Sequence, residues 1–186
     1  MNSESDHEQH AAERFAREQQ LQAIRDELSE VKDGLGEPID PGITETLVGL
    51  KANGINTTQS CEGHDDRAEA LPWVDVGATE PDGWKESEEL KVQWTEENTV
   101  IAERLKHILD KWQAQRIQEG QTPDDAHVLE LHERGIYGAV RLEARDQVRV
   151  SRLTSTERVQ STVTYKAAMR EFAEYLQSLF LDEQQS

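Results

Sequence analysis

The chemistry-bearing residues of this chain crowd into one stretch, Asn56-Thr-Thr-Gln-Ser-Cys-Glu-Gly-His-Asp-Asp66, and into the segment behind it, Pro72-Trp-Val-Asp-Val76. A thiol (Cys61), an imidazole (His64), the four carboxylates of Glu62, Asp65, Asp66 and Asp75, and the hydroxyls of Thr57, Thr58 and Ser60 fall within some twenty residues. Gly63 lets the chain turn sharply, so that Cys61 and His64 can face one point. Three chemistries suit this set. In the first, His64 takes the Cys61 proton and the thiolate attacks an electrophilic carbon, with Glu62 as a further candidate catalytic group. In the second, Cys61, His64 and one of Asp65, Asp66 or Asp75, with Asp75 the main candidate, bind a divalent transition metal; Cys-x-x-His spacing is feasible, but further ligands must come from distant positions. In the third, backbone N–H groups around Gly63, the hydroxyls of Thr57, Thr58 and Ser60, and Arg67 and Trp73 hold an anionic group of a small ligand. The carboxylates oppose a thiolate and favour a cation, which supports the second chemistry over the first.

Each of these residues also has a plainer reading. A lone Cys at a strand end serves as a small core hydrophobe, a loop His beside Asp residues is solvated, and a strand Trp such as Trp73 packs in a core. Asp75, between Val74 and Val76, needs a partner, and His64 or Arg67 is the obvious one. Outside the motif, His107 reads as an ordinary helical residue and His7 and His10 belong to the polar N-terminus. His127 and His132, at i and i+5, share no helix face. Arg141, Arg145, Arg149, Arg152 and Arg158 form the one basic concentration, a strand face paired with Glu143 or Asp146, or a groove for an anion.

The elements that must position the motif are legible from periodicity. Leu21, Ile24, Leu28, Val31 and Leu35, at spacings of 3, 4, 3 and 4, define an amphipathic helix that Gly34, Gly36 and Pro38 close. It either packs on its own domain or, over residues 15–35, offers a homo-oligomer or partner contact. Asp40-Pro41-Gly42 opens a second helix, with Asp40 as N-cap, whose apolar face is Ile43, Leu47, Val48 and Leu50. Ile55–Cys61 and Leu71–Val76 read as paired strands, and alternation over Leu90, Val92 and Trp94 predicts a third. A long helix is expected from Thr95, with Ile101, Leu105, Ile108 and Trp112 on one stripe, ending near Gly120. Two more strands, Gly135–Ala144 and Gln147–Leu153, are joined at Arg145-Asp146, and Thr154-Ser-Thr-Glu157 is a capping box for a final helix with the stripe Tyr165, Met169, Phe172, Leu176 and Leu179. The expected fold is α+β: a small, mostly antiparallel sheet packed by long helices, with an acidic helical extension over residues 1–36, one domain over 37–182 and a polar tail at 183–186.

Composition narrows the partners. The 186 residues carry 38 acids against 20 Lys and Arg, a net charge of −18, with 35% hydrophobic residues and one cysteine. Such a field repels phosphate backbones and anionic membranes, so general nucleic-acid binding is disfavoured and a basic protein partner is the natural macromolecular one. One cysteine excludes an internal disulfide and a multi-thiolate zinc site. No apolar run is long enough for a membrane span and the N-terminus is polar, so a cytoplasmic protein is expected.

Residues 38–55, with Thr57-Thr-Gln-Ser-Cys-Glu-Gly-His-Asp-Asp-Arg67 and Pro72-Trp-Val-Asp-Val76, resemble a family of uncharacterised bacterial proteins that share a Ser-Cys-Glu-Gly-His signature followed by a Pro-Trp-Val/Ile-Asp strand. That resemblance implies the domain and no reaction. Residues 57–64 are also similar to the Thr-Thr-Ser-Ser-Cys-Ser-Gly-Arg motif of the methyltransferase family of wybutosine synthesis, which implies an RNA-modifying activity. Gln59, Glu62 and His64 depart from that motif and remove positive charge where an RNA or an anionic cofactor would sit. Two functional readings result: a small-ligand or metal site on Cys61, Glu62, His64 and Asp75, and an interaction module that uses the acidic N-terminal helix.

Overall fold

The computed structural model describes residues 3–32, 35–64, 71–145 and 153–182. Among the described residues, five α-helices, α1 (Ser3–Ser29), α2 (Pro41–Ala52), α3 (Glu88–Gln118), the short α4 (Pro123–Ala126) and α5 (Ser155–Asp182), accompany four strands, β1 (Thr57–Cys61), β2 (Trp73–Val76), β3 (Leu129–Arg134) and β4 (Ala139–Ala144). The strands form one antiparallel sheet in the order β1-β2-β4-β3, which makes the fold α+β as expected. None of the described helices is long and apolar enough to cross a membrane.

Period-two alternation divides the sheet into two faces. Val74 and Val76 of β2 pair with Leu142 and Val140 of β4, and all four join the core with Leu129 of β3. Helices cover that face: Ile43, Leu47, Val48 and Leu50 from α2, Leu105, Ile108, Leu109 and Trp112 from α3, and Met169, Phe172 and Leu176 from α5 are all buried there. The opposite face carries Trp73, Asp75, Arg141 and Glu143, related by the same register. The capping box of α5 forms as read from the sequence, with Thr154 N donating to Glu157 Oε2 at 3.0 Å.

Three expectations change. Leu90–Trp94 is the start of α3 and not a strand, because Ser87 caps the helix by accepting from Leu90 N and Glu88 and Glu89 sit in the first turn, where the helix dipole favours acids. Leu90 and Trp94 satisfy a spacing of four as well as of two; Val92, the residue that separates the patterns, is 57% exposed. The additional strand is instead Leu129–Arg134, which carries His132, while His127 stands at the C-cap of α4. Leu129 pairs with Ala144 and Leu131 with Leu142, which puts Glu130 and His132 on the other face. Gly135 and Gly138, at φ of 70° and 75°, build the hairpin turn, so β4 begins at Ala139 and not at Gly135. The expected strand over 147–153, including Arg149 and Arg152, lies almost wholly outside the described residues.

Helix α1 departs from its stripe in a useful way. Leu21 and Leu28 are buried in the common core, whereas Val31 and Leu35 lie beyond the helix end, 44% and 88% exposed. Arg25 of α1 ties the packing together: Nε donates to Glu45 Oε1 at 2.9 Å, and Nη2 to Glu45 Oε2 at 2.8 Å and to Gln177 Oε1 at 2.9 Å. At the far end of the sheet, Trp84, Trp94 and Tyr137 pack in mutual contact with centroids 5.1 to 5.2 Å apart. Beneath them Asn98, 1% exposed, accepts from Ala78 N at 2.6 Å and donates to Tyr137 O at 2.8 Å.

Replacing Asn98 by Ala strands two buried backbone groups, and a loss of about 1–3 kcal/mol in the urea midpoint analysis is expected. The hydrogen bond from Arg25 holds the Glu45 carboxyl below its ordinary value of 4.5. A depressed carboxyl contributes stability that is complete above the ordinary value and is lost as pH falls through the folded one. The stability gap between the wild type and Glu45→Gln, about 0.5–1 kcal/mol near neutrality for this half-exposed pair, therefore closes in denaturation curves as pH falls below the ordinary carboxyl value of 4.5.

Candidate functional site

The site is built where the start of α2 meets the end of β1. Asp40 holds the N-cap position of α2, but its side chain makes no capping hydrogen bond. Its Oδ2 instead accepts from Glu62 N at 3.2 Å, twenty-two residues along the chain. Glu62 returns the favour: its Oε2 accepts from Gly42 N, in the first turn of α2, at 2.7 Å. A carboxylate on a helix N-terminus satisfies an orphan N–H and meets the positive end of the helix dipole. The exchange requires glycine at position 42, since a Cβ there would lie 2.5 Å from Glu62 Oε2. Lys166 of α5 approaches Glu62 Oε1 at 3.6 Å and draws a third element to the same point.

This exchange draws Asp40 to the Cys-Glu-Gly-His turn. Gly63 is buried at φ 83°, and its N–H points back to Cys61 Sγ at 3.4 Å. His64 Nε2 lies 3.6 Å from Asp40 Oδ2, with the His and Asp side chains 27% and 35% exposed. One ligating atom each from Asp40, Cys61 and His64 come within 4.8 Å of one another, all three residues being half-buried. A cleft of about 1040 Å³ opens beside them, lined by Asn56–Cys61 on one wall and by residues of the α1 to α2 connection on the other.

The candidates from the sequence divide accordingly. Cys61 and His64 come together as expected, and Thr57, Thr58, Ser60 and Trp73 line the cleft with them. Glu62 serves α2 rather than facing the thiol. Asp75 does not supply the carboxylate beside Cys61 and His64; Asp40 does. Among the described residues the partner of Asp75 is not His64 but Arg141, its register mate on β4, whose Nε and Nη2 donate to the two Asp75 oxygens at 2.6 and 2.8 Å, with Arg134 Nε 3.7 Å from Oδ1. The Arg141 guanidinium also lies 3.6 Å from the centre of the Trp73 ring, so that arginine is spent on structure rather than on a free anion groove. Asp65, Asp66 and Arg67 lie outside the described residues. His132 approaches Glu130 and Glu143 at 3.6 and 3.9 Å, and His107 is an exposed residue of α3.

Asp40 is the residue that sequence reasoning missed. An Asp before Pro at a helix start is fully accounted for as an N-cap, and no local pattern says that Glu62 will take over the capping.

No protein-family model matches the chain, and neither a curated protein nor a solved structure is similar to it.

The Asp75 and Arg141 side chains are only 13% and 6% exposed. Arg141→Ala leaves a nearly buried carboxylate without its bidentate partner, and a loss of about 3–5 kcal/mol is expected by denaturant unfolding. Adding Asp75→Asn to that variant should recover part of the loss, a coupling measured by the double-mutant cycle.

Proposed function

We propose that the chain is a metal-binding protein whose divalent transition ion sits on Asp40 Oδ, Cys61 Sγ and His64, with the remaining coordination position facing the adjoining cleft. The observation that carries this reading is the meeting of one carboxylate, one thiol and one imidazole within 4.8 Å, the carboxylate coming from 21 residues before the thiol and 24 before the imidazole. Metal bonds of about 2.0–2.3 Å in a tetrahedral arrangement put neighbouring donors about 3.3–3.7 Å apart. The 3.6 Å between His64 Nε2 and Asp40 Oδ2 has that length. It is too long for the base and orienter hydrogen bond that a Cys-His-Asp nucleophile requires, which ranks the metal above the thiolate reading.

The surroundings support the same conclusion. Metal ligands are characteristically held by hydrogen bonds from outside the donor set, and here Glu62 N serves Asp40 and Gly63 N serves Cys61. Two successive amides of one turn thus orient two of the donors. A mixed S, N, O set suits zinc, cobalt or iron rather than calcium or magnesium, which prefer oxygen alone. Three protein ligands and an open position are the pattern of a reactive centre, where the ion supplies a Lewis acid to whatever occupies the cleft. A reducing compartment such as the cytoplasm suits a site with one thiol that must stay reduced.

Cobalt(II) titration of the purified, chelator-treated protein tests the proposal. One equivalent should bind with tetrahedral d–d bands and a sulfur-to-cobalt charge-transfer band. Cys61→Ser should abolish that charge-transfer band, and Asp40→Ala and His64→Ala should each weaken binding by about a hundredfold or more, whereas His132→Gln leaves it unchanged. Circular dichroism on each variant separates loss of the site from loss of the fold. Binding that survives the three substitutions, or no stoichiometric ion by titration and elemental analysis, sinks the proposal.

A further inference from the structure

The four tryptophans of the chain fall into two pairs. Trp73 and Trp112 are buried, and each carries an arginine on its ring face. The Arg141 guanidinium lies 3.6 Å from the centre of the Trp73 ring, and that of Arg116 lies 4.6 Å from the centre of the Trp112 ring. Trp84 and Trp94 are half-buried at the far end of the sheet, in the three-ring cluster with Tyr137. Among the described residues no arginine stacks on either of them. A lysine does so instead: Lys85, an exposed residue, holds its Nζ 5.6 Å from the centre of the Trp84 ring.

The cluster fixes its rings in place. Trp84 Nε1 donates to Glu80 Oε1, and Trp94 Nε1 donates to Ala78 O at 3.1 Å, so both indoles have their polar atom satisfied within the chain. Trp94 and Tyr137 stack on one another at 26°, whereas Trp84 stands at 53° and 75° to them. The Trp84 face that Lys85 overlies adjoins solvent, and Ile136, beside Tyr137 in the hairpin turn, is 83% exposed. Acids gather at the same place. Residues 80–91 hold Glu80, Asp82, Glu86, Glu88 and Glu89 against Lys85 and Lys91. Lys91 is bound to Glu88 at 2.6 Å and is held in its charged form by Glu88, Tyr137 and Glu86 together, which places these acids beside the rings. Asp82, Glu86 and Glu89 are exposed and form no ion pair with a described residue.

From these features we infer that the Trp84, Trp94 and Tyr137 cluster docks an arginine-bearing segment of a basic protein, whose guanidinium replaces Lys85 on the Trp84 face while Asp82, Glu86 and Glu89 receive its further charges. The surface follows the end of β2 opposite to the one aligned with Cys61, so the inference does not rest on the metal reading. A guanidinium is flat and weakly hydrated and stacks on an indole at small desolvation cost, whereas the ammonium of Lys85 is compact and strongly hydrated. Exchanging one for the other on the ring is favourable, and Lys85 returns to solvent. The chain shows the same preference at Trp73 and Trp112, whose buried faces hold arginine. Rigid aromatic anchors inside a charged rim have the composition of an interface hot spot. The acidic rim steers a basic partner toward the rings and repels phosphate backbones, which disfavours a nucleic acid as the occupant. A second copy of this chain, with its net charge of −18, would bring like charge to the rim.

The test uses the full-length protein and two fluorescent octapeptides of equal charge, one alternating Gly with Arg and the other Gly with Lys. Fluorescence anisotropy at about 0.15 M salt, where distant charges are screened, compares their affinities. The arginine peptide should bind about fivefold tighter or more, and Trp84→Leu should remove that difference. The triple substitution Asp82→Asn, Glu86→Gln and Glu89→Gln should weaken the arginine peptide by about tenfold or more. Glu119→Gln, Glu174→Gln and Asp182→Asn, an equal change of net charge at a groove by the other end of α3, should weaken it by about twofold or less. In heteronuclear NMR spectra the arginine peptide should shift the indole N–H signals of Trp84 and Trp94 and leave those of Trp73 and Trp112 in place. Circular dichroism establishes that each variant is folded, and the triple substitution, which leaves every ring in place, decides the matter if Trp84→Leu unfolds. Equal affinity for the two peptides, equal losses from the two triple substitutions, or no selective shift at Trp84 and Trp94 overturns the inference. So does a wild-type dimer that Trp84→Leu converts to a monomer, because the surface then belongs to a second copy.

Discussion

Asp40 and Glu62 each do the work that local sequence assigns to the other. Asp40 stands at the cap position of α2 but accepts from Glu62 N, while the Glu62 carboxylate accepts from Gly42 N inside α2. The swap fastens the first turn of a buried helix to the last turn of an edge strand. Local capping by Asp40 would leave the two elements free to part and would turn Asp40 away from Cys61 and His64. The same swap explains Gly42, because any side chain there would collide with Glu62. It also accounts for Lys166, which brings α5 against the second oxygen of Glu62. The meeting of Asp40 with Cys61 and His64 follows from this one reciprocal contact.

Behind the site, the sheet face away from the core is kept rigid by a second polar arrangement. Arg141, 5% exposed, is sandwiched between Asp75, which it grips with two donors, and the face of Trp73. A charge this deeply placed is tolerable only because its donors are satisfied and its flat guanidinium stacks on the indole. Trp73 is at once the register mate of Cys61 and part of the cleft lining. The structural ion pair therefore sets the position of the strand against which the thiol-bearing strand is aligned. The two arrangements carry opposite charge logic: Asp75 is neutralised within the sheet, whereas Asp40 shares its oxygen with an amide and stands open beside an imidazole.

Much of the fold was legible in residue order. The stripes of α2, α3 and α5 bury the apolar residues that their spacing selects, and Thr154 and Glu157 cap α5 as their spacing requires. The errors are equally physical. Leu90 and Trp94 fit both periods and Val92 only that of a strand, and the decision falls to Ser87, whose capping bond commits the chain to helix seven residues before Thr95. Leu129 and Leu131 form too short an alternation to declare a strand; they become one because β4 offers Ala144 and Leu142 as partners. In the candidate site, Cys61, Gly63 and His64 were visible because they are adjacent and chemically unusual. Asp40 was invisible because its type and position were already explained.

What the sequence by itself determined is the local and the compositional: an acidic chain with a single thiol, helices with defined buried stripes, a glycine turn that bends Cys61 toward His64, and a strand pair on either side of that turn. These follow from side-chain periodicity, backbone freedom and charge, all of which act between near neighbours. Only the tertiary structure decided which carboxylate joins the thiol and imidazole, which arginine answers Asp75, and which strands stand at the edges of the sheet. Those choices depend on contacts between residues 20 to 66 positions apart, and no local preference distinguishes among the many acids that this chain offers for each role.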